Sequence, residues 1–133
     1  MAANTNTIFP NAPIVGIATL TSATALTSRA NITGTTGLAQ LTATSTNGTR
    51  VDAITVTGKG TTVASTVDIW LYNGTTSYYL TSIDVSAVTA STTVDPFTST
   101  RTFTTLVIPA TYQLFISETI QTDLNIFAFG GVY

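Results

Sequence analysis

Between Arg50 and Val85 the chain reads RVDAITVTGKGTTVASTVDIWLYNGTTSYYLTSIDV. Val63, Val67, Ile69 and Leu71 fall on one parity, and Thr66, Asp68 and Trp70 on the other. Such a period of two fits a half-buried strand and no helix. The stretch predicts three consecutive strands forming a meander, turned at Gly58-Lys59-Gly60 and near Gly74. A two-residue turn at Asn73-Gly74 would set Val67 and Ile69 on the face of Tyr78, Leu80 and Asp84. An odd-numbered loop with glycine at a left-handed bulge position aligns them with Tyr79, Ile83 and Val85 instead. The odd loop is the favoured reading, because it sends the Asp84 carboxylate outward, where it costs least.

The rest of the chain repeats this pattern. Ile14 to Leu26 is a Thr- and Ala-rich run with a break near Ser22, and TTGLAQLTAT holds a short strand with Leu38 and Leu41 after a turn at Gly34. TFTTLVIPA, YQLFIS and DLNIFAFGGVY supply three more strands. Tyr112, Leu114 and Ile116 share a face, and Gly130-Gly131 releases Val132-Tyr133 from the sheet. About eight strands without a helical segment predict an all-β, single-domain antiparallel β-sandwich of the jelly-roll kind. Residues 1–13, with two prolines, read as an extended N-terminal arm, and 14–133 as the sandwich domain. Ile8 and Phe9 are the arm's anchor candidates. The segment 86–101, rich in Ser and Thr and turned at Asp95-Pro96, is long enough to suggest partner contact. Phe97 and Arg101 are its candidate contact residues.

Composition narrows the chemistry. The chain of 133 residues has no Cys and no His, which removes disulfides, thiolate metal sites and the commonest general base. Only 8% of residues are charged, while about a quarter are Thr. A neutral, hydroxyl-covered surface follows, and such a surface suits close packing in an assembly. The basic residues Arg29, Arg50, Lys59 and Arg101 are scattered, so no cationic face for nucleic acid is expected. No run of 18 apolar residues exists to span a membrane. The first basic side chain is Arg29, which leaves no basic n-region for a secretory signal.

The acids Asp52, Asp68, Asp84, Asp95, Glu118 and Asp123 could be imagined as a glycosidase pair or a calcium site. Each has a simpler role as an exposed strand or turn residue. No catalytic, metal-binding or cofactor-binding residues are therefore assigned. Gly58-Lys59-Gly60-Thr61 lacks the upstream glycine and following helix of a phosphate loop. Asn-x-Thr sequons at Asn31, Asn47 and Asn73 arise readily in a Thr-rich chain, and Thr-x-Thr pairs such as Thr55/Thr57 lack the fixed period of an ice-binding array. Trp70, Tyr72, Tyr78 and Tyr79 cluster around one hairpin. Trp70 reads as a core residue on the second face of the sheet, with Tyr72 and Tyr78 as exposed aromatic candidates for stacking on a sugar.

NTNTIFPNAPIVGIATLT, RVDAITVTGKGTT followed by VDIWLYNG, and the ending DLNIFAFGGVY together resemble small structural proteins of tailed bacteriophages, especially capsid cement or decoration proteins of cyanophage type. The resemblance implies a virion protein on the outer capsid surface. It also implies a homotrimer that clamps adjacent copies of the major capsid protein, with no enzymatic activity and no cofactor. The alternative reading is a carbohydrate-binding or receptor-binding module of a tail or adhesin head.

Overall fold

The computed structural model describes residues 12–20, 26–120 and 122–133. Among these residues lie nine strands and no helix: β1 Ala12–Leu20, β2 Ile32–Thr33, β3 Ala39–Gln40, β4 Thr49–Gly58, β5 Ser65–Tyr72, β6 Thr76–Val85, β7 Thr98–Ile108, β8 Gln113–Glu118 and β9 Leu124–Val132. They pair into a four-stranded sheet, β1-β9-β4-β7, and a five-stranded sheet, β2-β6-β5-β8-β3. Every pairing is antiparallel. The result is the sandwich-like all-β architecture that the alternating pattern predicts.

The core draws on one parity from each sheet. Ala18 and Leu20, Ile54 and Val56, and Leu124, Ile126 and Ala128 come from the four-stranded sheet. Val67, Ile69, Ile83, Val85, Leu114 and Ile116 come from the five-stranded one. Burying each of the Val, Leu and Ile side chains contributes about 1.5–3 kcal/mol, so this cluster is the main source of stability.

Several expectations about pairing are corrected. The stretch from Arg50 to Val85 is not a meander: β4 lies between β9 and β7, while β5 and β6 belong to the other sheet. The turn at Gly58-Lys59-Gly60 therefore crosses between sheets. In the β5–β6 hairpin Tyr72 pairs with Ser77, and the Asn73 N–H donates to the Thr76 carbonyl at 3.2 Å. That leaves an even loop of Gly74-Thr75, with Gly74 at φ 98°. The odd residue is inserted farther on. Trp70 pairs with Tyr79 but Ile69 with Thr81, so Leu80 bulges out of the ladder. Val67 thus meets Ile83, and Asp84 faces outward as anticipated, whereas Tyr79 joins Trp70 on the opposite face from the core.

The chain ends also differ from expectation. Ala12 and Pro13 belong to β1, an edge strand where the missing proline N–H is tolerated. The long connection ends at Phe97, since β7 begins at Thr98, and its turn is capped by Ser91, whose Oγ accepts from the Thr93 and Val94 N–H groups, ahead of Asp95-Pro96. Gly130 and Gly131 do not release the chain: they pair with Val51 and Arg50 in β4, and β9 continues to Val132. Gly130 is required there because a Cβ would run into the Arg50 carbonyl. Gly130→Ala is expected to cost about 1–3 kcal/mol, as other overpacked positions do, read as a lower urea midpoint.

Candidate functional site

β1 and β9 are apolar on both parities, which is the pattern of strands covered on both faces. Their inner residues build the core. Their outer residues, Val15 and Ile17 on β1 and Phe127 and Phe129 on β9, sit opposite one another in register: Val15 with Phe129 and Ile17 with Phe127. The two phenyl rings stack with centroids 6.4 Å apart. Val15 is 57% exposed, Ile17 63% and Phe129 42%. With the half-buried Phe127 they form an apolar patch, and covering the three exposed side chains would contribute on the order of 1 kcal/mol each.

The other half of this face belongs to threonine. Thr55 and Thr57 of β4 stand beside Thr100 and Thr98 of β7, and Ala53 beside Thr102. Some of the polar groups here are already paired. The Thr55 and Thr100 hydroxyls lie 2.8 Å apart, and the Thr19 hydroxyl donates to Asn125 Oδ1 at 3.0 Å. At one end Arg50 Nε donates to Asp52 Oδ1 at 2.6 Å, cancelling the charge. Covering this face desolvates no lone charge, while the Thr57, Thr98 and Thr102 hydroxyls would need partners on the covering surface. Chemically, its apolar half suits contact with another apolar surface.

The outer face of the five-stranded sheet is closed by contrast. Trp70 is fully buried there, donating its indole N–H to Ser117 Oγ at 2.9 Å and meeting Tyr79 edge-on at 6.0 Å. Asp68, expected on the surface, is fully buried beside it and accepts from Arg29 Nε and Nη2, each at 3.0 Å. The Arg29 guanidinium also lies 5.0 Å from the centre of the Tyr79 ring. Residues around Arg29 thus fasten onto this face, which is why its aromatic cluster is not a free platform.

The sequence-derived candidates are dispersed. Ile8 and Phe9 lie outside the described residues. Phe97 is half-buried against the core, and its carbonyl accepts from the Gly58 N–H at 2.8 Å. Arg101 lies in strand β7, not in a loop; its Nη1 donates to the Ser82 carbonyl at 2.7 Å, tying the edge of one sheet to the other. Tyr72 is half-buried, with its hydroxyl on the Gly74 carbonyl at 2.8 Å and its ring edge-on to Phe115. Tyr78 is 42% exposed. It pairs with Leu71, so it projects from the face opposite to Tyr72, and the two do not make a common stacking surface.

The patch on β1 and β9 was not singled out from sequence, although IVGIATL and NIFAFGG carry its signal in their double-sided apolarity. Among the described residues no three acidic side chains come together as a metal-ligand group. Comparison with known proteins gives no match to any family model, curated protein or solved structure.

Proposed function

We propose that this chain is a structural virion protein that binds the outer surface of a capsid and clamps adjacent major capsid subunits, acting as a homotrimer. The observation that carries the reading is the net-neutral, half-apolar outer face of the four-stranded sheet, with Val15, Ile17 and Phe129 exposed and Phe127 half-buried beside them. A second support is topological. The order β1-β9-β4-β7 in one sheet and β3-β8-β5-β6 in the other fits an eight-stranded jelly roll of two Greek keys, with β2 as a short addition. That architecture serves capsid proteins and lectins alike, so the face, not the fold, decides the reading.

The mechanism is mechanical. Each bound copy buries surface across a seam between coat subunits, and separation of those subunits must first expose it. Several linked contacts make dissociation of the whole clamp far slower than loss of any one, and the shell gains stability by mass action. Glycan stacking is less well supported, because Tyr72 is held by its own strand turn and Tyr78 stands apart from it.

The double variant Ile17→Glu/Phe129→Glu places two charges on the face without touching the core. It is expected to reduce rebinding to stripped particles by more than about 10-fold, since each buried unpaired carboxylate costs over 1 kcal/mol. Its thermal unfolding should stay close to that of the parent. Undiminished rebinding would remove this face from the clamp.

A further inference from the structure

Glu118 is the only glutamate in the chain, and it points inward. It ends β8 opposite Val67, on the core side of the five-stranded sheet, and is fully buried. Its Oε2 accepts from the Thr122 N–H at 3.0 Å, while its Oε1 has no hydrogen-bond partner. The hydroxyls of Thr122 and Ser65 are buried without partners as well, Ser65 standing two residues along the same face of β5 from Val67. A carboxylate half-satisfied in this setting is costly, and protonation removes the buried charge and gives Glu118 a donor of its own.

The charged surroundings do not relieve that cost. Asp123 follows on the same turn and disfavours a second negative charge. Asp68 is on the other face of β5, neutralised by Arg29, and Asp84 faces outward from β6. The cation at this end is Lys59, which lines an open cleft of about 400 Å³ together with Gly60, Thr61, Val63, Thr122 and Asp123. Thr122 links the two places, bonding Glu118 through its N–H and lining the cleft.

We propose that Glu118 is a proton-operated switch in this fold: with its proton on, the carboxyl stays sealed in the core, and with its proton off, the charge drives the side chain toward the Lys59–Asp123 cleft and loosens β8 against β5. Burial, helped by Asp123 and opposed by the Thr122 N–H, raises the carboxyl from its ordinary 4.5 to about 7. The folded state therefore holds this proton more tightly than the unfolded chain. Stability from this group is fully present below about pH 4.5 and falls as the pH rises through about 7. The chain has no His and no Cys, the side chains that ordinarily titrate in or near that window.

The test uses the full chain labelled with ¹³C at the glutamate carboxyl, which gives one resonance. The expected midpoint is near neutrality, and a midpoint at the ordinary glutamate value would overturn the proposal. In parallel, exchange of the Leu26 amide, which donates to the Glu118 carbonyl at 2.7 Å, is followed from pH 6 to 8 after correction for base catalysis. About 10-fold faster exchange is expected between pH 6 and 8, the linkage expected for a single group with a folded midpoint near 7. Glu118→Gln should abolish this pH dependence. Should that variant fail to fold, the wild-type pair of measurements still decides: a titration near 7 with unchanged exchange would refute the opening.

Discussion

Trp70→Ala is expected to lower the free energy of unfolding by about 3–5 kcal/mol, the range for truncating a large buried aromatic. Trp70 is the largest fully buried side chain among the described residues, and it lies outside the aliphatic core, on the opposite face of β5. Its loss empties the space beside Tyr79 and leaves Ser117 Oγ without its indole donor at 2.9 Å. A typical domain has only about 5–15 kcal/mol in hand, so the variant should be close to unfolded at 37 °C. Trp70→Phe keeps most of the apolar contact and forfeits the hydrogen bond, for a loss of about 1–2 kcal/mol. Denaturant titration by far-ultraviolet circular dichroism distinguishes the cases. A loss under about 1 kcal/mol for the alanine variant would mean that this outer cluster unfolds separately from the core.

Arg29→Met should be the more selective lesion. Asp68 is fully buried and accepts from Arg29 Nε and Nη2 at 3.0 Å, with one further donor, the Thr66 hydroxyl, at 3.3 Å. Removing the guanidinium strands a buried carboxylate with that hydroxyl alone, the situation that makes broken buried pairs damaging. Arg50→Met is the control. Arg50 and Asp52 are both well exposed, and their pair should be worth no more than about 0.5 kcal/mol. The Arg29 variant should lose several times as much stability as the control, and Arg29→Met/Asp68→Asn should regain much of it, since the double change removes the stranded charge. Arg29→Lys should not rescue, because an ammonium cannot reproduce the two-pronged contact. Equal effects at positions 29 and 50 would contradict the account.

The sequence was most informative where one strand could be read by itself. Period-two alternation in β5 identifies Val67 and Ile69 as core, and the outward Asp84 follows from it. Pairing was less legible because it depends on distant segments. β4 is followed directly by β5, yet its neighbours are β7 and β9, and alternation specifies a buried face without naming the partner strand. The β5–β6 register shows the same limit: the overall offset requires one extra residue, and a bulge at Leu80 supplies it as well as an odd loop would.

Burial of the acids was not legible either. Asp68 and Trp70 occupy the parity assigned to the outer face, and the cation that pairs with the buried carboxylate, Arg29, comes from 39 residues away. Nothing local marks Glu118 as inward, apart from its place on the parity of Leu114 and Ile116. The candidate face was available in principle, since β1 and β9 are apolar on both parities, but its exposure depends on nothing else in the described chain crossing it. Phe97 illustrates the converse. An apolar residue in a long connection suggests an outside partner, and here it packs on its own core.

The central claim is that this chain covers a shell. Its most direct test is quantitative mass spectrometry of gradient-purified particles from the source culture, counting copies of this chain against copies of the major coat protein. The account predicts a ratio near one per coat subunit, or a simple fraction of it. Absence from the particles, or only a few copies per particle, would contradict it.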